Sequence, residues 1–233
     1  TWRTLSADEW EYLLKKRKNA SDLYGVAQVA GVNGMIILPD DWEEANGIVF
    51  KSGLHSSQVN DYSVHQSFTD AQWLAIENAG AVFLPALGYR DGTNVEKCNT
   101  SGYYWSNTTS DEKSAYRLYF YSYFLAPNDV HSKYRGRSVR LVHDTIVPRT
   151  IPKRIGVFSV AKDKKVSFSQ GNLQYIQSAN LWRFAENQYD YLGEENVKDG
   201  ELANRIDLFG WSANNTTAPF GVSTSITAAD YVG

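Results

Sequence analysis

With 233 residues the chain can bury a substantial core, and its single cysteine excludes both a disulfide-stapled miniprotein and a cysteine-based zinc site. A formal net charge of −3 supplies no global field for nucleic acid or an anionic membrane, so partners must be recognised locally. The unusual quantity is aromatic content: 7 Trp, 15 Tyr and 10 Phe make 14% of a chain whose mean hydropathy is −0.42, and rings in such excess serve recognition surfaces as well as cores.

No apolar run approaches the roughly 18 to 20 residues that span a bilayer, and Thr1 does not begin a basic-then-apolar signal peptide, which predicts no direct membrane insertion by this stretch. The Asn-x-Ser/Thr sequons at Asn19, Asn99, Asn107, Asn214 and Asn215 matter only in a glycosylating host.

Ser6 stands three residues before Glu9, the spacing of a capping box, and Trp10, Leu13 and Leu14 share one face, so the opening segment predicts a helix. Asp8, Glu9 and Glu11 near its start and Lys15-Lys16-Arg17-Lys18 at its end complement the helix dipole, and the basic run reads as a solvated face. Tyr24 to Ala30 and Met35 to Leu38 predict a hairpin turning at Gly31-Val32-Asn33-Gly34. After Pro39, the acidic stretch Asp40-Asp41-Trp42-Glu43-Glu44 reads as a turn and helix start, although its carboxylates also have the chemistry of a calcium ligand set or an acid/base pair. Thr69-Asp70 caps a second helix through Gln72, Trp73, Leu74 and Ile76, which Gly80 ends before a buried strand at Ala81 to Pro85.

From Gly102 the period becomes two. A strand begins at Tyr103-Tyr104-Trp105, a polar turn follows at Asn107 to Lys113, and a longer strand spans about Ala115 to Phe124. Within it Leu118, Phe120 and Ser122 mark the core face, and Arg117, Tyr119, Tyr121 and Tyr123 the opposite one. A loop over Leu125 to Arg135 leads to an alternating strand at Gly136 to Val142. Pro148 and Pro152 make Thr145 to Lys153 an extended connector, followed by short strand-like runs and an aromatic-rich stretch containing Trp182, Phe184, Tyr189, Tyr191, Phe209 and Trp211.

A Gly-x-Ser-x-Gly nucleophile elbow, a Walker phosphate loop and a dinucleotide fingerprint are missing from the sequence, and His55, His65, His131 and His143 lack metal-ligand spacing. The sequence therefore nominates no catalytic residue, metal site or cofactor. Cys98 follows Lys97, whose charge would lower the thiol pKa, but no base stands beside it in sequence. The positive candidate is a ligand-binding face of Arg117, Tyr119, Tyr121, Tyr123, Phe124, Asn128, His131, Tyr134 and Arg135, residue types that combine stiff contact area with hydrogen bonding. The competing reading is a structural strand whose Tyr row is buried by a second layer.

Several motifs resemble a known family. Gly102-Tyr103-Tyr104-Trp105-Ser106, Leu118-x-Phe120 and Gly136-Arg137-Ser138-Val139-Arg140-Leu141-Val142 resemble the closing motifs of the bacterial "major paralogous domain" family, whose fold is C-type-lectin-like and related to formylglycine-generating enzymes. Thr1-Trp2-Arg3-Thr4-Leu5, Glu9-Trp10-Glu11-Tyr12-Leu13, Val32-Asn33-Gly34 and Leu38-Pro39-Asp40-Asp41-Trp42 look like its central motifs. Phe168-Ser169-x-Gly171-Asn172-Leu173-Gln174-Tyr175, Trp182-Arg183-Phe184-Ala185 and Asp207-Leu208-Phe209-Gly210-Trp211 resemble its opening motifs. The order departs from the family's, as in a circular permutant, a fragment straddling tandem units or a shifted numbering.

The resemblance implies an α+β, C-type-lectin-like fold of short antiparallel strands, two main helices and long aromatic-rich loops. Residues 1–144 would be its central and C-terminal part, 145–154 a linker, and 155–233 its N-terminal part, packing onto 1–144 to complete one domain. Ser114 to Arg135 resembles the variable region of proteins diversified by retroelements, with Leu118, Phe120, Ser122 and Pro127 as fixed scaffold. The implied function is a non-enzymatic bacterial module at the cell surface or secreted, recognising a protein or glycan, with no nucleic acid partner. A structural domain of a surface or pilus protein is the alternative. A formylglycine-generating oxidase is a further one, disfavoured because such enzymes rely on a reactive Cys pair.

Overall fold

The computed structural model describes residues 1–44, 47–144, 155–198, 201–202, 204–212, 221–227 and 230–231. The connector expected at 145–154, the sequons at Asn214 and Asn215 and the terminal Val232-Gly233 lie outside the described residues.

After β1 (Trp2–Arg3), the start of the first helix is set by a reciprocal cap: the Glu9 amide donates to the Ser6 hydroxyl at 3.1 Å and the Ser6 amide donates to the Glu9 carboxylate at 2.8 Å. Two donors that a helix N-terminus leaves open are thereby satisfied. The helix α1 (Ala7–Glu11) continues as a π-helical turn over Tyr12–Lys16 and buries Trp10, Leu13 and Leu14. The basic run divides, correcting its reading as a solvated face. Lys15, Lys16 and Lys18 are exposed, but Arg17 is buried, donating to the carbonyls of Leu23 and Leu38 and pairing with Asp40 at 3.1 Å.

The strands β2 (Tyr24–Val29) and β3 (Val32–Ile37) meet at a two-residue turn in which Ala30 (φ 51°) and Gly31 (φ 81°) both have positive φ, the geometry that matches the natural twist of a hairpin. Val32, Asn33 and Gly34, expected in the turn, instead pair within β3. Gly34 lies under the Phe83 ring, where an added Cβ would come within 2.4 Å of a ring carbon. After β4 (Ser67–Phe68), the helix α2 (Asp70–Asn78) carries a second capping box, Thr69 with Gln72, and buries Trp73 and Ile76 while Leu74 faces solvent. With β5 (Val82–Pro85) the sheet order is β4-β2-β3-β5, and Val29, Ile36, Phe68, Trp73, Ile76 and Phe83 form its core beneath α2.

A short hairpin of β6 (Tyr89–Asp91) and β7 (Asn94–Glu96) precedes a three-stranded antiparallel sheet of β8 (Gly102–Thr109), β9 (Ser114–Tyr121) and β10 (Phe124–Ser132), with β9 central. Most of the loop expected at Leu125 to Arg135 is thus β10, reached by reversing at Ser122-Tyr123. Gly136 to Leu141 is not a ladder strand. It makes single bridges, Gly136 to Arg90, Arg137 to Phe209 and Ser138 to Tyr104, before β11 (Val142–His143).

Residues beyond 154 enter the same core. A sheet of order β1-β11-β13-β12 combines the first strand with β12 (Phe158–Ala161) and β13 (Lys164–Phe168). Phe158, Val160, Val166 and Phe168 join Leu5, Trp10, Leu118, Phe120 and Val142 in one buried cluster. Lys164 reaches Glu9 at 2.8 Å, and Arg3 reaches the same carboxylate at 2.6 Å. A last antiparallel set pairs β14 (Leu173–Ile176) with β15 (Leu181–Phe184) and with Arg205–Ile206. The architecture is α+β, mostly antiparallel sheets with two short helices.

Candidate functional site

The sheet β10-β9-β8 positions the candidate face. Period-two alternation turns Leu118 and Phe120 into the core, and Gly102, opposite Phe120, leaves room for that ring, since a Cβ there would come within 2.1 Å of it. The other face carries the remainder of the row. Tyr103 pairs with Tyr119 across β8 and β9, and Phe124 pairs with Tyr121 across β10 and β9.

Six rings therefore run in contact across the strands. Tyr89 meets Tyr103 edge-on at 5.4 Å, Tyr103 stacks on Tyr119 at 4.8 Å, and Tyr119 touches Tyr121 at 5.5 Å. Tyr121 then stacks on Phe124 at 5.0 Å and meets Tyr123 edge-on at 4.5 Å. Aromatic pairs of this geometry contribute roughly 0.5–1.5 kcal/mol beyond burial, so the strip is stiff before any ligand arrives. Exposure grows outward from Tyr103: Tyr103 is buried, Tyr119, Tyr121 and Tyr123 are half-buried, and Phe124 is exposed, while Tyr89 at the other end is half-buried. The turn at its outer end is pinned, because the Ser122 amide donates to Asn60 Oδ1 and its hydroxyl to the Val59 carbonyl.

Arg117 is on this face but is not displayed. It is 6% exposed, its guanidinium lies 4.6 Å from the Tyr103 ring centre and 5.2 Å from that of Tyr119, and Nη2 pairs with Asp129 at 2.6 Å. The register shift between Ala126 and Asp129 puts that carboxylate opposite Arg117, with Pro127 and Asn128 in the bulge, a place where a residue without an amide proton costs no ladder bond. Asn128 is exposed at that bulge. His131 is half-buried on β10, and burial together with Arg137, Arg117 and Arg135 pushes its pKa down to about 4, so it is neutral at physiological pH. Arg135 pairs with Asp91 at 2.9 Å and lies 5.0 Å from the centre of the Tyr89 ring, while Tyr134 is half-buried in the turn before it.

Beneath the turn, Arg137 is fully buried, 4.3 Å from the Trp105 ring centre, with Nη1 donating to the Ser132 carbonyl. Its Nε and Nη2 have no partner among the described residues. Burial and the charges of Arg117 and Arg135 pull its pKa down, and burial also raises that of Tyr119, with neighbouring Tyr103 adding to the rise. Sequence reading missed Tyr89 and placed Tyr103 only as a strand residue. The alternation of Gly102 to Trp105 carried the signal for Tyr103, but Tyr89 reaches the strip by tertiary packing alone.

Two other sequence candidates have different uses. Asp40 accepts from Arg17, from the Ser159 amide at 3.0 Å and from the Ser159 hydroxyl at 2.6 Å, fastening β12 to the first helix, and the stretch after it forms a turn without the expected helix. Among the described residues, no cluster of three or more His, Cys, Asp or Glu is arranged to hold a metal. Burial pushes the Cys98 thiol up to about 11, opposite to the lowering expected from Lys97.

Residues 58–142 match the model of a domain of unknown function (DUF8237), a segment that contains β8, β9, β10 and every candidate face residue. Comparisons with curated proteins and with solved structures give no match.

Proposed function

We propose that this chain is a non-enzymatic recognition module that binds a protein partner through the strip from Tyr119 to Phe124, on a C-type-lectin-like scaffold acting at a bacterial cell surface or after secretion. The observation that carries this reading is the contiguous six-ring strip with its outer four rings solvent-accessible. Tyr rings offer large contact area at small cost in side-chain entropy, and pre-stacking removes more of that cost. The protonated Cys98 thiol fits poorly with oxidase chemistry that requires a reactive thiolate.

Biotinylated chain applied to intact bacterial and epithelial cells, before and after surface proteolysis, and to a glycan array tests the proposal. Protease-sensitive binding that Tyr119→Ala/Tyr121→Ala/Tyr123→Ala abolishes, with the cooperative melt retained, supports it. Binding that the triple variant retains assigns the strip to the structural-domain reading, which the burial of Tyr103 and Arg117 favours. Retroelement diversification is tested separately, by sequencing the coding region across isolates. It predicts substitutions concentrated at Tyr119, Tyr121, Tyr123, Phe124 and Asn128, with Leu118, Phe120 and Ser122 invariant.

A further inference from the structure

An open cavity of about 570 Å³, sharing no lining residue with the Tyr strip, is lined by Trp2, Trp105, Trp182, Trp211 and Phe209 with Asn107 at its polar side. Its volume lies in the range of small-molecule sites. The walls are braced: Trp2 packs edge-on against His143 at 5.3 Å and Phe184 at 5.1 Å, and Trp182 packs against Tyr175 at 4.7 Å and Phe209 at 5.5 Å.

Three features define what fits. First, among the described residues no Asp, Glu, Lys, Arg or His lines the cavity, so a charged ligand would lose hydration with no counter-charge there. Second, an aromatic enclosure normally suits a cation, but two of these walls already serve one: Arg137 lies 4.3 Å from the Trp105 ring centre and Lys133 Nζ 4.6 Å from that of Trp211, and neither cation lines the cavity. Third, the polar side chains of the lining, apart from the Thr4 hydroxyl, are largely engaged. Trp105 Nε1 donates to the Phe209 carbonyl and Trp211 Nε1 to the Ser106 carbonyl, both at 2.7 Å, the Ser106 hydroxyl donates to Tyr116 at 2.8 Å, and Asn107 Nδ2 donates to Thr4 at 3.2 Å. Buried sugar hydroxyls would go unpartnered, each at a cost of about 1–3 kcal/mol.

From this chemistry we infer that the Trp-lined cavity is a binding site for an uncharged small molecule made chiefly of apolar rings, distinct from the Tyr strip. The ligand's ring faces pack on the indoles, and Asn107 can hydrogen-bond a single polar substituent.

The probe is 1-aminoanthracene, titrated against the whole chain and followed by its own emission and by the indole N–H signals in a ¹H–¹⁵N spectrum. Saturable one-site binding is expected, with Kd on the order of 10 μM, and with shifts at Trp2, Trp182 and Trp211 but not at Trp73, the buried indole of α2. Trp2→Ala weakens binding about tenfold, roughly the effect of losing 1.4 kcal/mol. Thr4→Trp, at a partly exposed lining position, fills the cavity and abolishes binding, while Tyr121→Ala leaves it unchanged. The indole shifts in the unmodified chain need no variant to fold. Absence of saturable binding, shifts confined to other indoles, or unaltered affinity in a folded Thr4→Trp variant overturns the inference. So does displacement by choline, which marks a cation cage, or by cellobiose, which marks a sugar site.

Discussion

At the scale of the residue, the balance between burial and pairing decides what each charged group does. Arg117 keeps its charge inside the sheet because Asp129 and two Tyr rings offset its desolvation. Asp129→Ala therefore destabilises by about 2 kcal/mol, less than for a fully buried pair because Asp129 is partly exposed, and Arg117→Met in the same chain recovers part of that loss in urea denaturation. Two other groups oppose each other in pH. Burial raises the Asp207 pKa to about 6 from 3.8, so its contribution favours the fold below pH 4 and is lost as pH rises through 6, a swing of about 3 kcal/mol. His131, depressed from 6.5 to about 4, favours the fold above pH 6.5, and this stability is lost as pH falls towards 4. Between pH 6.5 and 4.5, Asp207→Asn should lose stability on acidification more steeply than the parent chain, and His131→Gln less steeply, when unfolding free energies are compared at each pH.

At the scale of the element, caps and turns were legible because they are local chemistry. The Ser6–Glu9 box and the Thr69 cap both follow from local spacing and both form, the second as a full box with Gln72. They are not equal. The Glu9 amide sits 3.1 Å from Ser6 Oγ whereas the Gln72 amide sits 3.4 Å from Thr69 Oγ1, so Ser6→Ala should cost about 1 kcal/mol and Thr69→Ala less, by chemical denaturation. Gly31→Ala should cost about 1 kcal/mol in the same assay, since φ 81° suits glycine. The boundaries were less legible. Asn33-Gly34 resembles a turn, yet the turn forms at Ala30-Gly31, because Gly34 is required where Phe83 crosses β3. Likewise Pro127 and the polar residues of β10 read as loop, yet the bulge absorbs the proline and the ladder continues on both sides.

At the scale of the whole molecule, the hydrophobic cluster joins residues more than 150 positions apart, from Leu5 and Trp10 to Phe158 and Phe168. A core shared in this way unfolds as a unit. Leu118→Ala and Phe158→Ala, from opposite sides of residues 145–154, should each remove roughly 3 kcal/mol and lower the same single transition by calorimetry and by Trp fluorescence. Two separate transitions, each shifted by only one substitution, would show two independent cores. The same packing separates the seven Trp from the Tyr surplus. Trp10 and Trp73 are core, Trp42 packs partly buried against the core that holds Trp73, four others line the cavity, and no ring of the Tyr strip lines it.

The sequence by itself determined what depends on neighbours along the chain: the capped helices, the alternating strand, and the face that carries Tyr119, Tyr121 and Tyr123. Those outcomes rest on spacing, and spacing survives without a fold. Tertiary structure alone decided that Arg117 and Arg17 are buried, that Tyr89 and Tyr103 extend the strip, that burial raises the Cys98 thiol pKa and that four indoles line one cavity. Each of these depends on which distant segments exclude water from a side chain, and solvent exclusion is a property of the packed chain that no local spacing encodes.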